Sequence, residues 1–96
     1  MHVISRKKLR EFWKVYPDAQ EQLRSWLRAA TREQWHNFAA VKARFPKADR
    51  VGKFTVFNIA GNKYRLIAAI HHNRGKVFIR HVLTHEEYDR GDWKKD

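Results

Sequence analysis

Three runs of β-branched and aromatic residues dominate the second half of the chain, and short turn sequences separate them. The runs cover residues 53–59, 63–71 and 76–84, which favours three β-strands. Gly61-Asn62 lies between the first two runs and suits a tight hairpin turn, since glycine readily takes a positive φ. His72–Gly75 supplies turn residues between the second and third runs. The pattern therefore predicts a unit of three antiparallel strands.

Apolar residues in the first half recur with the spacing of helices that are buried on one side. Two stripes are clear, at residues 9–16 and 19–30, and the spacing continues at residues 35–42. Lys47–Gly52 is expected to be a polar loop that leads into the sheet. Ser5 is expected to cap the first of these helices. Thr31 with Gln34 resembles a capping box for the stretch at residues 35–42.

Both ends of the chain carry shorter elements. His2–Ile4 is a β-prone run that should join the sheet. Thr84 with Glu87 matches a capping box that begins a helix, and Gly91 favours its end. We expect the tail Trp93–Asp96 to be frayed. Helices followed by strands predict an α+β fold, with an antiparallel sheet, two or three N-terminal helices on one face and a short C-terminal helix.

The two turns set the strand register, and the register assigns each side chain to one face of the sheet. In this register Arg65 lies between Asn58 on one neighbouring strand and Val82 on the other, and Ile67 lies opposite Arg80. One face is then a core face, which the helices should cover: Thr55, Phe57, Ile59, Tyr64, Leu66, Ala68, Ile70, Val77, Ile79 and Leu83. The other face should stay open, and it carries polar residues among apolar ones: Asn58, Arg65, His71, Lys76, Arg80 and Thr84.

Arg65 and Arg80 are diagonal neighbours on the open face, within roughly 8 Å at the backbone. Two like charges repel there unless an anion lies between them, although both could also be solvated edge charges. Residues 50–85 hold seven Lys or Arg and no acidic residue, whereas ordinary surfaces mix the two signs. Such a sheet favours a phosphate-bearing partner. The candidates for RNA binding are Lys53, Asn58, Lys63, His71, Arg74 and Lys76.

The composition narrows the class of protein. Ninety-six residues form one small domain, and a net charge of +11 favours nucleic acid or an acidic protein as partner. The chain has no cysteine, which excludes disulfides and thiolate zinc sites. It also lacks an apolar run of about 18 residues, the length that spans a bilayer. Since the N-terminal sequence has no apolar signal core, we expect a cytoplasmic protein without a membrane partner.

Three segments of the chain resemble the HigB toxins of the RelE-like superfamily, which belong to bacterial toxin–antitoxin systems. They are RFPKAD (residues 44–49), VFNIAGNKYRLI (residues 56–67) and VFIRHVLTHEEYD (residues 77–89). The resemblance implies the RelE-like fold and an endonuclease that cuts mRNA on the translating ribosome. It also implies a HigA-type helix-turn-helix antitoxin as partner. The catalytic roles that RelE-like toxins give to two strand arginines and a late tyrosine match Arg65, Arg80 and Tyr88.

RNA can be cut without a metal if the site supplies a base for the 2′-OH, cations for the developing charge and an acid for the leaving oxygen. Arg65 and Arg80 suit the charge, because Arg binds phosphate bidentately. His85 and Tyr88 are three residues apart on the predicted helix, so they share a face and suit the acid and base roles in either order. Each has a structural alternative: Tyr88 could pack against the sheet edge, and His85 could bond to backbone at the helix start.

The remaining histidines do not predict a metal site. His71 and His72 are adjacent on a strand and point to opposite faces, so we expect no metal and no cofactor. His81 falls on the predicted core face and is interpreted as a hydrogen-bonded core histidine. Two other functions also fit the charge, a non-catalytic RNA-binding module and an interaction protein for an acidic partner. His85 together with Tyr88 favours the endonuclease over the RNA-binding module, because binding alone does not need both.

Overall fold

A mixed sheet of five strands, with three helices on one face, forms the frame of the protein in a computed structural model that describes residues 1–95. The sheet order is β1-β5-β4-β3-β2. The described residues also form 3₁₀ turns at Pro17–Ala19, His72–Arg74 and Asp92–Lys95. In chain order the strands and α-helices are β1 (His2–Ile4), α1 (Lys7–Val15), α2 (Gln20–Arg32), α3 (Phe38–Arg44), β2 (Asp49–Val51), β3 (Phe54–Ile59), β4 (Tyr64–His71), β5 (Lys76–Thr84) and α4 (His85–Arg90).

The predicted α+β fold is confirmed, and so are the three strands of its central unit. β3, β4 and β5 pair antiparallel, and Asn58 lies opposite Arg65 as the turn chemistry predicts. β1 joins the sheet, but it runs parallel to β5, so the sheet is mixed. The loop expected at Lys47–Gly52 contains β2, a strand too short and too polar to show an apolar pattern.

A β-bulge in the middle of β5 changes the predicted register. Ala68 pairs with Ile79, but Ile67 pairs with His81, so Arg80 is an extra residue on β5. An extra residue shifts all later residues of a strand to the opposite face. The prediction that Arg65 lies opposite Val82 is therefore wrong.

The residues beyond the bulge change faces as a result. Leu83 lies opposite Arg65, and Thr84 lies opposite Tyr64. His81, opposite Ile67, belongs to the Arg65 face and not to the core face, so its interpretation as a core histidine is wrong.

The main core lies between the sheet and α1–α3. Leu9, Leu23 and Trp26 are buried from the helical side. Trp26 contacts Phe57 of β3 with ring centroids 5.4 Å apart. Trp35 lies between α2 and α3 and is also buried against Phe57, at 6.1 Å. The predicted core face is confirmed apart from Leu83.

The opposite face of the sheet was expected to stay open, but the C-terminal segment covers its centre. Phe54, Val56 and Ile67 form a second apolar cluster with Trp93, which is only 4% exposed. Leu83 packs against this cluster. The expectation of a frayed tail is therefore wrong for Trp93, while Asp96 lies outside the described residues. Within residues 1–95, no helix has the length and apolar character needed to cross a membrane.

Two of the three predicted caps are wrong. Ser5 has a φ of +73°, and no side chain caps the start of α1. Thr31 lies inside α2, where its hydroxyl donates to the Leu27 carbonyl at 2.9 Å. Asn37 caps α3 instead, because its side-chain oxygen accepts from the Ala40 N–H at 2.9 Å. The cap at Thr84 is confirmed.

Candidate active site

The position of α4 is set by hydrogen bonds at the end of β5. The Thr84 hydroxyl accepts from the Glu87 N–H at 3.2 Å, and the Glu87 carboxylate accepts from the Thr84 N–H at 2.9 Å. The helix ends at Gly91, whose φ of +76° glycine adopts without strain. The His85 N–H donates to the Lys63 carbonyl at 2.9 Å, so α4 begins directly beside the β3–β4 turn.

Arg65 is held in place next to α4 by backbone carbonyls and an aromatic ring, and no carboxylate of residues 1–95 forms an ion pair with it. Its Nη1 donates to the Asn62 carbonyl at 2.9 Å and to the Tyr64 carbonyl at 3.2 Å. The guanidinium carbon lies 5.2 Å from the centroid of the Tyr88 ring. These contacts orient the guanidinium without neutralising it, so its charge remains available to an anion.

His85 and Tyr88 both lie on α4, and each has a partner one turn or more further along the chain. His85 Nδ1 lies 3.0 Å from the Asp89 carboxylate, and the His85 side chain is half exposed. Because this contact uses Nδ1, proton exchange with a substrate would proceed through Nε2. The Tyr88 ring stacks on Trp93 at 5.2 Å, and Trp93 Nε1 donates to the Tyr88 carbonyl at 2.9 Å. Tyr88 therefore has a packing role together with its contact to Arg65, but it packs against Trp93 and the apolar cluster on β3 and β4, and not against the sheet edge.

Arg80 lies further from Arg65 than the regular register predicts. The bulge makes His81 the diagonal cross-strand neighbour of Arg65, and Arg80 is one residue beyond it. The Arg80 carbonyl accepts from Lys8 Nζ at 2.9 Å. The structure thus places Arg65 against Tyr88, with His85 one helical turn earlier on α4, and places Arg80 at the bulge.

Sequence reasoning missed two residues near this group. Asp89 is four residues after His85 on a predicted helix, and that spacing alone could have identified it as the partner of His85. His81 reaches the Arg65 face only because of the bulge, and the sequence of β5 contains no signal that predicts a bulge. It lines a shallow cleft with Leu83, Glu87 and Trp93.

Apart from Lys63, the predicted RNA-binding residues divide between the two ends of the sheet face. One end, which we name the Tyr88 end, consists of Asn58, Arg65, His85 and Tyr88. The Asn58 amide donates there to the Asn62 side-chain oxygen at 3.4 Å. We name Lys53, His71, Arg74 and Lys76 the His71 end. His71 lies opposite Lys76 and six residues from Arg65 along β4, which is about 20 Å. The apolar cluster under Trp93 lies between the two ends.

The cations of the His71 end are supported by apolar neighbours. Lys53 Nζ lies 5.3 Å from the centroid of the Phe54 ring, and the His71 ring packs edge-on against Phe78 at 5.1 Å. Arg74 lies in an exposed 3₁₀ turn. His72 Nδ1 lies 2.7 Å from the Trp35 carbonyl, which gives this histidine a structural role. Within residues 1–95, no three His, Cys, Asp or Glu side chains are close enough to hold a metal ion.

Lys63 turns towards the helices and forms an ion pair with Asp18 at 3.1 Å. The Tyr64 hydroxyl donates to the same carboxylate at 2.7 Å. The hydrogen bond from Tyr64, followed by that from Lys63, lowers the pKa of Asp18, while the bond to Asp18 raises the pKa of Tyr64 to about 12. Because the folded-state pKa of Asp18 is depressed, its contribution to stability is present above the unfolded pKa. That contribution is lost as the pH falls through the folded value.

Comparison with known proteins identifies the family of the chain. The sequence model of a RelE-like toxic component of a toxin–antitoxin system matches residues 19–91. That model describes the HigB toxins, and the chain belongs to the HigB toxin family.

Named relatives match along nearly the whole chain. The mRNA interferase toxin HigB of Escherichia coli (strain K12) is 33% identical over 92 residues, which cover 93% of this chain and 88% of the relative. The mRNA interferase HigB of Shigella flexneri has the same identity and coverage. The mRNA interferase HigB of Escherichia coli O6:H1 is 29% identical over 93 residues, or 94% of this chain and 90% of the relative.

Proposed function

We propose that the protein is the toxin of a type II toxin–antitoxin system and cuts mRNA on the translating ribosome in the cytoplasm. A HigA-type helix-turn-helix antitoxin is its proposed partner. The family assignment and the names of the relatives support this function. The observation that carries it is local: the charged Arg65 lies against Tyr88, one helical turn from a histidine paired with Asp89.

The proposed reaction uses side chains alone. The 2′-oxygen of one nucleotide attacks the adjacent phosphorus and gives its proton to a base. A 2′,3′-cyclic phosphate forms, the bond from phosphorus to the 5′-oxygen breaks, and an acid protonates that 5′-oxygen. His85 and Tyr88 serve as base and acid in one of the two orders. Arg65, and Arg80 from the bulge, stabilise the charge that develops on the phosphate oxygens.

The test is to add the purified protein to an mRNA on translating ribosomes and to the same mRNA alone. We expect cleavage only in the first reaction. The downstream fragment should begin with a 5′-OH, which a polynucleotide kinase labels directly, and the upstream fragment should end in a 2′,3′-cyclic phosphate.

The Arg65→Ala variant serves as the control for a contaminating nuclease. Fragments with a 5′-phosphate would contradict the proposed chemistry, and equal cleavage of free mRNA would contradict the dependence on ribosomes. RNA binding without any cleavage would favour the non-catalytic RNA-binding module instead.

A further inference from the structure

A groove between α1 and α2 is lined by four arginines on the helical side of the protein, away from the Tyr88 end. Its lining consists of Arg6, Arg10, Trp13, Arg24, Leu27, Arg28 and Thr31. All four arginines are exposed. The proposed cleavage reaction uses none of them, although they are nearly a fifth of the 21 Lys and Arg residues.

The arginines form two columns that face each other across the groove. Arg6 and Arg10 are four residues apart at the start of α1, and Arg24 and Arg28 are four apart on α2. This spacing keeps each pair on one helix face, about 6 Å apart along the axis. The Arg24 guanidinium carbon lies 5.7 Å from the centroid of the Trp13 ring, which orients it at the groove floor.

The groove has a single sign of charge. No Asp or Glu is among its lining residues. The ion pairs recorded for Lys7, Arg44, Lys63 and His85 lie elsewhere. Four guanidinium groups around one groove repel one another, and an anion between them relieves that repulsion.

The choice of cation also matters. The other exposed cations of α1 are Lys7, Lys8 and Lys14, whereas each charged residue of the groove is Arg. Arg donates bidentately to planar or tetrahedral oxyanions, which Lys cannot do.

We propose that this arginine groove binds the phosphate backbone of a structured RNA other than the mRNA strand at the Tyr88 end. The groove floor offers only Trp13 and Leu27 as apolar surface, and both are already half-buried. That is too little for an amphipathic acidic helix, which gains its affinity from a continuous apolar stripe. An RNA backbone needs no apolar floor, since counterion release supplies most of its affinity.

The position of the groove extends the proposed function. α1 and α2 cover the sheet face opposite Arg65, so an RNA in the groove leaves the Tyr88 end free. A toxin that works on the ribosome is surrounded by structured RNA, and the groove would hold the protein there while mRNA occupies the other face. This last step rests on the proposed function, but RNA binding by the groove does not.

The experiment measures binding of the full-length protein to a fluorescent hairpin RNA, without ribosomes, over a range of salt concentrations. The groove variant is Arg10→Gln with Arg28→Gln, one change in each column. The matched control is Lys47→Gln with Lys95→Gln, which removes the same charge at exposed positions outside the groove. We expect the groove variant to bind at least about tenfold more weakly and to reduce the slope of log affinity against log salt by about two. The control should stay close to wild type.

Two further measurements separate the possible explanations. Arg65→Ala removes a cation of the Tyr88 end and should weaken hairpin binding less than the groove variant does, although it fails to cleave mRNA. Equal binding by the groove and control variants would overturn the inference, and so would a greater loss of hairpin binding in Arg65→Ala than in the groove variant. If an acidic peptide, and not RNA, loses affinity for the groove variant, the groove is a protein site and the inference is wrong. Arg6→Gln with Arg24→Gln replaces the first variant if that variant does not fold.

Discussion

The two ends of the Arg65 face both carry positive charge, but they hold it in different ways. At the Tyr88 end, Arg65 is fixed by two carbonyls and a ring, and His85 by a carboxylate. At the His71 end, Lys53 and His71 contact neighbouring rings, and no hydrogen bond is recorded for the side chain of Arg74 or Lys76 in residues 1–95. Charge alone therefore attracts RNA at both ends, and more strongly at the His71 end with its three Lys and Arg side chains, whereas the fixed side chains that the proposed catalysis requires are found at the Tyr88 end.

The largest expected difference between the two ends concerns proton transfer. His85→Ala and Tyr88→Phe should each lower single-turnover cleavage of mRNA on ribosomes by about 10²–10⁴, because each removes an acid or a base. Neither change removes a Lys or Arg side chain, so ribosome binding should fall little. Arg74→Ala at the His71 end is the control, and it should cleave within about threefold of wild type. Loss of binding in proportion to cleavage would instead assign His85 and Tyr88 a docking role.

The second expected difference concerns charge stabilisation. Arg65→Ala should lower the cleavage rate by about 10²–10³ with the fold intact, the usual effect of removing one charge-stabilising group. Arg80→Ala should do the same if the bulge still lets its guanidinium reach the phosphate. Comparing the two variants is informative because Arg65 contacts Tyr88, whereas the bulge moves Arg80 one residue out of the regular strand register. Wild-type cleavage by either variant would remove that arginine from the site, and circular dichroism would detect an unfolded variant.

Much of the fold could be predicted from the sequence, because short motifs at turns and helix caps determine the neighbouring strands and helices. The Gly61-Asn62 turn gives the correct pairing of Asn58 with Arg65, and Thr84 with Glu87 gives the start of α4. The bulge could not be predicted, because the alternation of β5 continues through it and only packing decides where the extra residue goes.

The same limit applies to the candidate site. Trp93 looked like part of a loose tail, yet it covers the apolar residues between the two ends. The contact between Arg65 and Tyr88 joins residues that are distant in sequence. Residue types predicted the components of the site, but their arrangement depends on long-range packing.

The smallest expected effect concerns the cap that positions α4 at the Tyr88 end. Thr84→Ala removes the hydroxyl that accepts from the Glu87 N–H, so the free energy of unfolding should fall by roughly 0.5–2 kcal/mol. Thr31→Ala is the matched control, since Thr31 has the same sequence pattern but lies inside α2 and bonds back to the Leu27 carbonyl. Alanine is the better helix former there, so this change should be neutral or slightly stabilising. Urea unfolding of both variants measures the difference. Equal losses would mean that the Thr84 hydroxyl contributes no more than an ordinary helix hydroxyl, and that the hydrogen bond from His85 to Lys63 suffices to hold α4 beside Arg65.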